Sequence, residues 1–454
     1  MNLWVKRPWL IFFWNILAGL HFAVVLLLRL IPALKRRLPS VIQDRFQFEA
    51  QNNTDIQCRS FIFDQKKAQC CFQVASEGEW EQVRWVVERI LQHGELVEVI
   101  FTSPSVNHRL VALGKKYSQQ LRYLRTPLVS MKRVNLSHWM TSNILVMVRY
   151  DFFPMFLSMA GKKKMILLWF FRPRDRQEFF TKLKWKMILP LFDKIVASNR
   201  DDWWWLRELL PDKLLAPHPM DLRLLSIDER LDAKDQKLVE TIPGITKLIS
   251  SIEAFSIRII HGNAYLEELV YLNDLKWKEA IKNKKVLLAI AAHHPEHFSK
   301  QALEEYYQIK FWEINPGMSV QQINDMCWQM KDEPGVLLFG GKGYLLELYP
   351  SFLVALVGGG FFGHTHSIWE PFMACSRVYC GAGVFRSSEY YQAKEISSQK
   401  IISLSTMYQW RTQVTDQIMD INYIPQSYSD KTLSVDALKK QLFDVFKEIG
   451  HELK

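Results

Sequence analysis

Four short stretches hold residues whose types and spacing could do chemistry. Residues 75–79 (ASEGE) follow an alternating run, residues 69–74, that reads as a strand. Ser76 with Glu79 three positions on has the spacing of a capping box, in which hydroxyl and carboxylate satisfy N–H groups of a first helical turn. The same Glu79 at the mouth of a cleft would be a carboxylate able to take a proton. Residues 149–154 (RYDFFP) carry Asp151, which either binds a sugar or a cation or makes a turn ahead of Pro154. Residues 291–297 (AAHHPEH) crowd three histidines and a glutamate, without the HExxH spacing of a helical zinc pair. Phosphate contact by His294 suits them better than a metal; a solvated helix start is the structural alternative.

The longest of the four, residues 358–371 (GGGFFGHTHSIWEP), follows an apolar run. Consecutive glycines, Gly359 and Gly360 among them, let backbone pass close to a ligand. Glu370 at a helix start could accept hydrogen bonds from ribose hydroxyls while backbone N–H groups hold phosphate. The stretch is not GxGxxG, and no GxxxxGK[ST] occurs, so neither a dinucleotide fingerprint nor a P-loop is present.

Such residues need elements to hold them. Short apolar runs at 96–101, 144–148 and 165–170 read as buried parallel strands, with a helical pattern between them at 80–93. The pattern restarts at 285–290, 309–314, 336–339 and 352–357, after a charged, helix-rich segment at 200–283. Alternating strands and helices predict two α/β halves with parallel sheets, and ligands meet such sheets at the carboxyl ends of the strands. A hinge is expected near Gly262. The tail from Val435 reads as an amphipathic helix.

With 454 residues, 48% hydrophobic and 23% charged, the chain is expected to fold as two or three domains rather than to be disordered. Residues 8–28 carry no formal charge over a length of about 30 Å as a helix, enough to cross a bilayer core. Trp4, Trp9 and Trp14 crowd its start, and Arg29, Lys35, Arg36 and Arg37 follow its end. The segment reads as an uncleaved membrane anchor, with a bound interfacial helix as the alternative, and the basic flank places the body in the cytoplasm. Six cysteines without CxxC spacing suit a reducing compartment. The net charge of +11 suits an anionic membrane surface or anionic substrates; no motif of a nucleic-acid module occurs, and no nucleic acid is expected as a partner.

In this order the stretches resemble the bacterial Kdo transferases: an N-terminal anchor, an ASxGE turn, a DFFP segment, a His-rich loop and GGG…GHTHSIWEP. The similarity runs from Arg45 to about Gly383. It implies a GT-B fold, α/β with two Rossmann-like domains facing across a cleft, and transfer of 3-deoxy-D-manno-octulosonic acid (Kdo) from CMP-Kdo to a lipid A precursor at the bacterial inner membrane. The implied division is an anchor with its basic flank at 1–37, an acceptor domain at 38–261 and a donor domain at 262–454. Glu79 matches the family's general base, Ser76 and Gly78 the shape of its turn, and Asp151 the place of a glutamate, the three forming the acceptor side. His294, Gly359, Gly360, His366, Ser367 and Glu370 match donor-binding positions, with Glu370 expected on the ribose. The resemblance implies inversion in one displacement, with no metal and no cofactor beyond the donor. The absence of a DxD motif agrees, residues 201–202 reading as a helix start before tryptophans that face the membrane.

The departures are specific. Tyr265 stands where the family has lysine, and residues 340–345 (GGKGYL) replace a loop with two carboxylates. They keep open two rivals: a lipid-directed transferase using another nucleotide sugar, and a non-catalytic membrane-tethered relative.

Overall fold

The computed structural model describes residues 8–31, 36, 38, 40–54, 66–126, 136–149, 151–170, 179–363, 365–374, 376–419 and 435–448. Lys35, Arg37, Cys58, Tyr150, His364 and Cys375 lie outside the described residues. The chain forms two compact units, Met1–Ser226 with Val435–Lys454, and Ile227–Ser434.

The first unit is built on six parallel strands: β1 (Cys70–Val74), β2 (Val97–Phe101), β3 (Leu121–Arg125), β4 (Ile144–Val148), β5 (Lys164–Phe170) and β6 (Lys194–Ala197). Their order is β3-β2-β1-β4-β5-β6. Strands such as ILVMV in β4 are buried along their whole length, as a parallel sheet covered on both faces requires. Helix α1 (Pro8–Leu30) and helix α2 (Ser40–Thr54) precede the sheet; α3 (Glu77–Gln92) follows β1 and buries Trp80, Val83, Val87, Ile90 and Leu91 at helical spacing. Glu98 sits fully buried in β2. Its carboxylate accepts from Arg122 (2.6 Å), from the Thr141 N–H and hydroxyl (2.8 and 2.9 Å) and from the Ser142 N–H (3.2 Å), tying β2, β3 and the lead into β4 together.

The second unit carries seven parallel strands: β7 (Ile257–Ala264), β8 (Val286–Ala292), β9 (Phe311–Ile314), β10 (Val336–Phe339), β11 (Val354–Val357), β12 (Arg377–Gly381) and β13 (Ile401–Leu404), in the order β13-β12-β11-β7-β8-β10-β9. In both sheets the chain starts centrally, winds to one side, then returns to build the other. The reversals fall between β1 and β4 and between β7 and β11.

Three expectations are corrected by the structure. The boundary expected at 261/262 falls at 226/227, because helices Lys234–Thr241 and Ile245–Glu253 bury Leu238, Ile245, Leu248 and Ile252 on the second sheet beside Ile260 and Leu287. Gly262 is no hinge. It lies inside β7, registered against Val357 and Ala291, and a Cβ there would run into the Tyr349 hydroxyl. The C-terminal helix Val435–Glu448 also belongs with the first unit: Phe443 meets Trp85 at 6.4 Å between ring centres, and Lys194 pairs with Glu448.

Glu98→Ala leaves the buried Arg122 guanidinium without its carboxylate, so urea unfolding is expected to report a loss of roughly 3–5 kcal/mol.

Candidate active site

In the first unit, groups from four strand ends meet at the reversal. Glu79 stands in the first turn of α3, 7% exposed. The expected capping box is not formed: Ser76 is the N-cap but makes no side-chain cap bond, and the Glu79 carboxylate reaches past it to accept the Ala75 N–H at 2.5 Å. Burial lifts the Glu79 carboxyl from its ordinary 4.5 to about 7; the Ala75 N–H opposes the rise, the Asp151 charge adds to it and Arg149 opposes it. Asp151, just past β4, accepts the Thr102 hydroxyl at 2.9 Å and the Gln73 amide at 3.5 Å. Burial raises its carboxyl as well, against the Thr102 bond and the Arg45 charge. Arg45, from α2, donates to the Thr126 carbonyl at 3.3 Å and lies 4.5 Å from the Phe153 ring centre. Gln73 is fully buried, and its amide oxygen has no hydrogen-bond partner among the described residues. Ser76 is half-buried and Gly78 exposed, with open space where a Cβ would stand. The structure thus brings Glu79 and Asp151 together, with Ser76 and Gly78 lining the turn beside them.

The second unit gathers a different chemistry. Tyr265, past β7, stacks on His293 (5.1 Å, 27°) and on His366 (6.0 Å, 16°), and these two imidazoles are 4.2 Å apart. The Tyr265 hydroxyl lies 3.4 Å from His366 Nε2. His294 meets His293 edge-on and bonds Glu296 at 3.0 Å. Burial lowers the His366 pKa to about 4, with the neighbouring His293 adding to the effect, so this ring is neutral near pH 7. Two of the histidines stack on Tyr265, and among the described residues no three His, Cys, Asp or Glu side chains converge to hold an ion.

The glycine stretch works otherwise than its sequence suggests. Gly359 has φ +88°, a conformation that suits glycine, and its N–H donates to Glu268 at 2.9 Å; the Gly358 N–H donates to the Gly262 carbonyl at 3.0 Å. A Cβ on Gly358 would run into the Asn263 carbonyl. These glycines let the exits of β7 and β11 approach each other, and two of the N–H groups expected to face a phosphate serve the protein instead. Similarly, the Ser367 hydroxyl and the N–H groups of Ile368 and Trp369 all converge on Glu389, at 3.1, 2.8 and 3.1 Å. Glu370 lies half-buried in the short helix Trp369–Met373, its charge within reach of the Tyr349 hydroxyl. Lys342 is exposed between Gly341 (φ +78°) and Gly343 (φ +96°), beside a cavity of about 190 Å³ also lined by Asn263, His293 and Tyr344.

Sequence reasoning missed Gln73, Thr102, Arg45, Glu268 and Glu389. Glu268 had a faint signal: it stands three residues after Tyr265, the N-cap whose N–H it accepts at 3.1 Å. Glu389, remote in sequence from the loop it holds, had none.

Two parallel α/β units, each with its reactive side chains at the strand reversal, define the chain as a GT-B fold. Among solved structures it is similar to the UDP-GlcNAc 2-epimerase of Neisseria meningitidis bound to UDP-GlcNAc, at TM-score 0.52 and 13% identity, over 84% of this chain and 99% of that one. The UDP-GlcNAc 2-epimerase of Methanocaldococcus jannaschii follows at TM-score 0.47 and 8% identity, over 82% and 99%. The C-terminal CMP-Kdo binding domain of WaaA from Acinetobacter baumannii gives TM-score 0.29 and 14% identity, over 50% of this chain and 99% of that domain. No family model and no curated protein matches the sequence.

The raised Glu79 carboxyl has a consequence for stability. Between pH 4.5 and about 7 the folded protein keeps a proton there that the unfolded chain has released, so the Glu79 contribution falls as pH rises through that window. The whole window is worth about 3 kcal/mol. Glu79→Gln, compared with wild type by urea unfolding at pH 5 and pH 8, is expected to gain stability selectively at pH 8.

Proposed function

We propose that the chain is a glycosyltransferase that moves Kdo from CMP-Kdo to a lipid A precursor on the cytoplasmic face of the bacterial inner membrane. The observation that carries the reading is Glu79: a buried carboxylate at a strand reversal, titrating at about 7, is tuned for general-base work near neutral pH. In the proposed step, ionised Glu79 takes the proton of an acceptor hydroxyl. That oxygen bonds to the anomeric carbon of the sugar, and the bond to the phosphate oxygen breaks, CMP leaving with the electron pair. Configuration inverts in this single displacement, and the scheme uses neither a metal nor a further cofactor.

The units divide the labour. Asp151 and Gln73 are assigned to the acceptor, Asp151 by accepting from its hydroxyls and Gln73 through its unpartnered amide oxygen. Tyr265, His293, His294 and His366 offer flat faces to the donor, the His366 imidazole a neutral ring nitrogen, Lys342 a cation to its phosphate, and Glu370 a carboxylate to its ribose. With the N–H groups of Gly358, Gly359, Ile368 and Trp369 taken up by the protein, Lys342 and the imidazoles carry more of the phosphate binding than the motif implies. Lys342, standing in place of two carboxylates, favours one second reading: a donor other than CMP-Kdo.

The test is a transfer assay with detergent-solubilised protein, a tetra-acylated lipid A precursor and CMP-Kdo generated in place. Glu79→Ala is expected to lose roughly 10²–10⁴-fold in rate, and Lys342→Ala to raise the donor KM with kcat much less affected. Wild-type rate should climb with pH up to about 7 as Glu79 ionises. No transfer from CMP-Kdo, with turnover of another nucleotide sugar, would establish the second reading.

A further inference from the structure

Helix α1 is long and apolar enough to cross a membrane, yet its packing argues for another placement. Residues 8–28 form the candidate span. One side of the helix is docked on the first unit over most of its length. Leu10 is fully buried in the core around Phe156, Leu157 and Ala160; Ile11 is the side chain a Cβ on Gly161 would touch; and the Trp14 indole donates to the Met187 carbonyl at 3.1 Å. Further along, His21 stands within electrostatic reach of Arg45, and Val25 is buried against Ile42 and Phe46 of α2. From Leu10 to Val25 the docked side advances by about 22 Å.

The opposite side is bare. Trp9, Phe12, Ile16, Leu20, Val24, Leu27 and Ile31 are all exposed, Phe12 to 67% and Leu20 to 57%. The spacings of three or four residues from Trp9 to Leu27 place these six in one stripe along the helix, with Ile31 just past its end. A helix that leaves its domain to cross a bilayer has lipid on all sides of the crossing part. Only five residues follow Val25 in this helix, about 8 Å, far short of a hydrocarbon core.

We propose that α1 lies in the plane of the membrane, with its bare stripe in the outer acyl region of one leaflet and its other side stitched to the first unit. The occupant is an anionic lipid surface, and charge complementarity argues for it. Exposed Lys162 follows Gly161, which underlies Ile11; exposed Lys184 and Lys186 precede Met187, whose carbonyl bonds Trp14; exposed Arg36 lies beyond the far end. Cations near both ends of an apolar stripe match the phosphates bordering an acyl layer. The placement also bears on the first-unit site, since His21 on the docked side faces Arg45, which in turn faces Asp151. The inference stands apart from the reaction and is tested without turnover.

Single cysteines at Phe12, Ile16, Leu20, Val24 and Leu27, in the full chain with Cys58 and Cys375 replaced by serine, would be spin-labelled on vesicles of phosphatidylglycerol and phosphatidylcholine. In-plane placement predicts similar, shallow depths at all five. Depth that peaks at the bilayer centre and falls again would overturn it. Independently, Phe12→Glu with Ile16→Glu and Leu20→Glu is expected to weaken vesicle binding by about tenfold or more with the circular dichroism unchanged. Unaltered vesicle binding, together with loss of a lipid-free dimer, would assign the stripe to a second copy of the chain instead.

Discussion

Parallel pairing is the constraint on which everything else depends. Strands that all run one way put all their carboxyl ends on one edge of a sheet, and a chain that starts centrally and winds first one way, then the other, leaves a crevice where it reverses. In the first sheet that place lies between β1 and β4, and Glu79 and Asp151 are the side chains it receives. In the second it lies between β7 and β11, where Tyr265 meets the stretch from Gly358 to His366. Residues 72 positions apart in one case and 101 in the other become neighbours through strand order, not through local chain geometry.

Four buried glutamates show how surroundings divide one side chain into different jobs. Glu98 takes an arginine, two N–H groups and a hydroxyl, and holds a sheet edge. Glu268 takes the N–H groups of Tyr265 and Gly359, pinning the loops after β7 and β11. Glu389 takes two N–H groups and a hydroxyl at the start of a short helix. Glu79 is the exception: backbone donors from Ala75 and Ser76 too weak to offset its burial, a second carboxylate nearby and little solvent. Desolvation without matching donors raises a carboxyl's pKa, and this arrangement makes Glu79 a poor structural anion that holds its proton to about pH 7.

Two glutamates at the second site also explain what the glycines there are for. A backbone that passes within contact of β7 at Gly358 and turns through φ +88° at Gly359 needs the missing side chains for its own packing. The side chains that stand beside these loops are the rings of Tyr265, His293 and His366, and the exposed Lys342. In the second unit, therefore, these side chains stand on backbone loops fixed from behind by buried acids.

Much of this was legible in the chain. β4 and β10 occupy the very residues their apolar runs marked, and β1, β2, β5 and β8 begin or end within two residues of the expected runs, because a strand buried on both faces must be apolar throughout. β3 (LRYLR), β6 (KIVA), β7 (IRIIHGNA), β12 (RVYCG) and β13 (IISL) were not, since runs that are short or broken by charged and polar residues carry no such mark; β3 can hold Arg122 only because Glu98 waits on the neighbouring strand. The long apolar N-terminal helix and the turns that carry Glu79, Asp151, His294 and His366 were marked by sequence alone, for composition and spacing are local properties. Which N–H groups remain for a ligand, which carboxylate is left short of donors, which side of α1 is covered and where one unit ends were decided only by tertiary structure. Each of those depends on partners brought from distant positions, and solvent exclusion exists only once they have arrived.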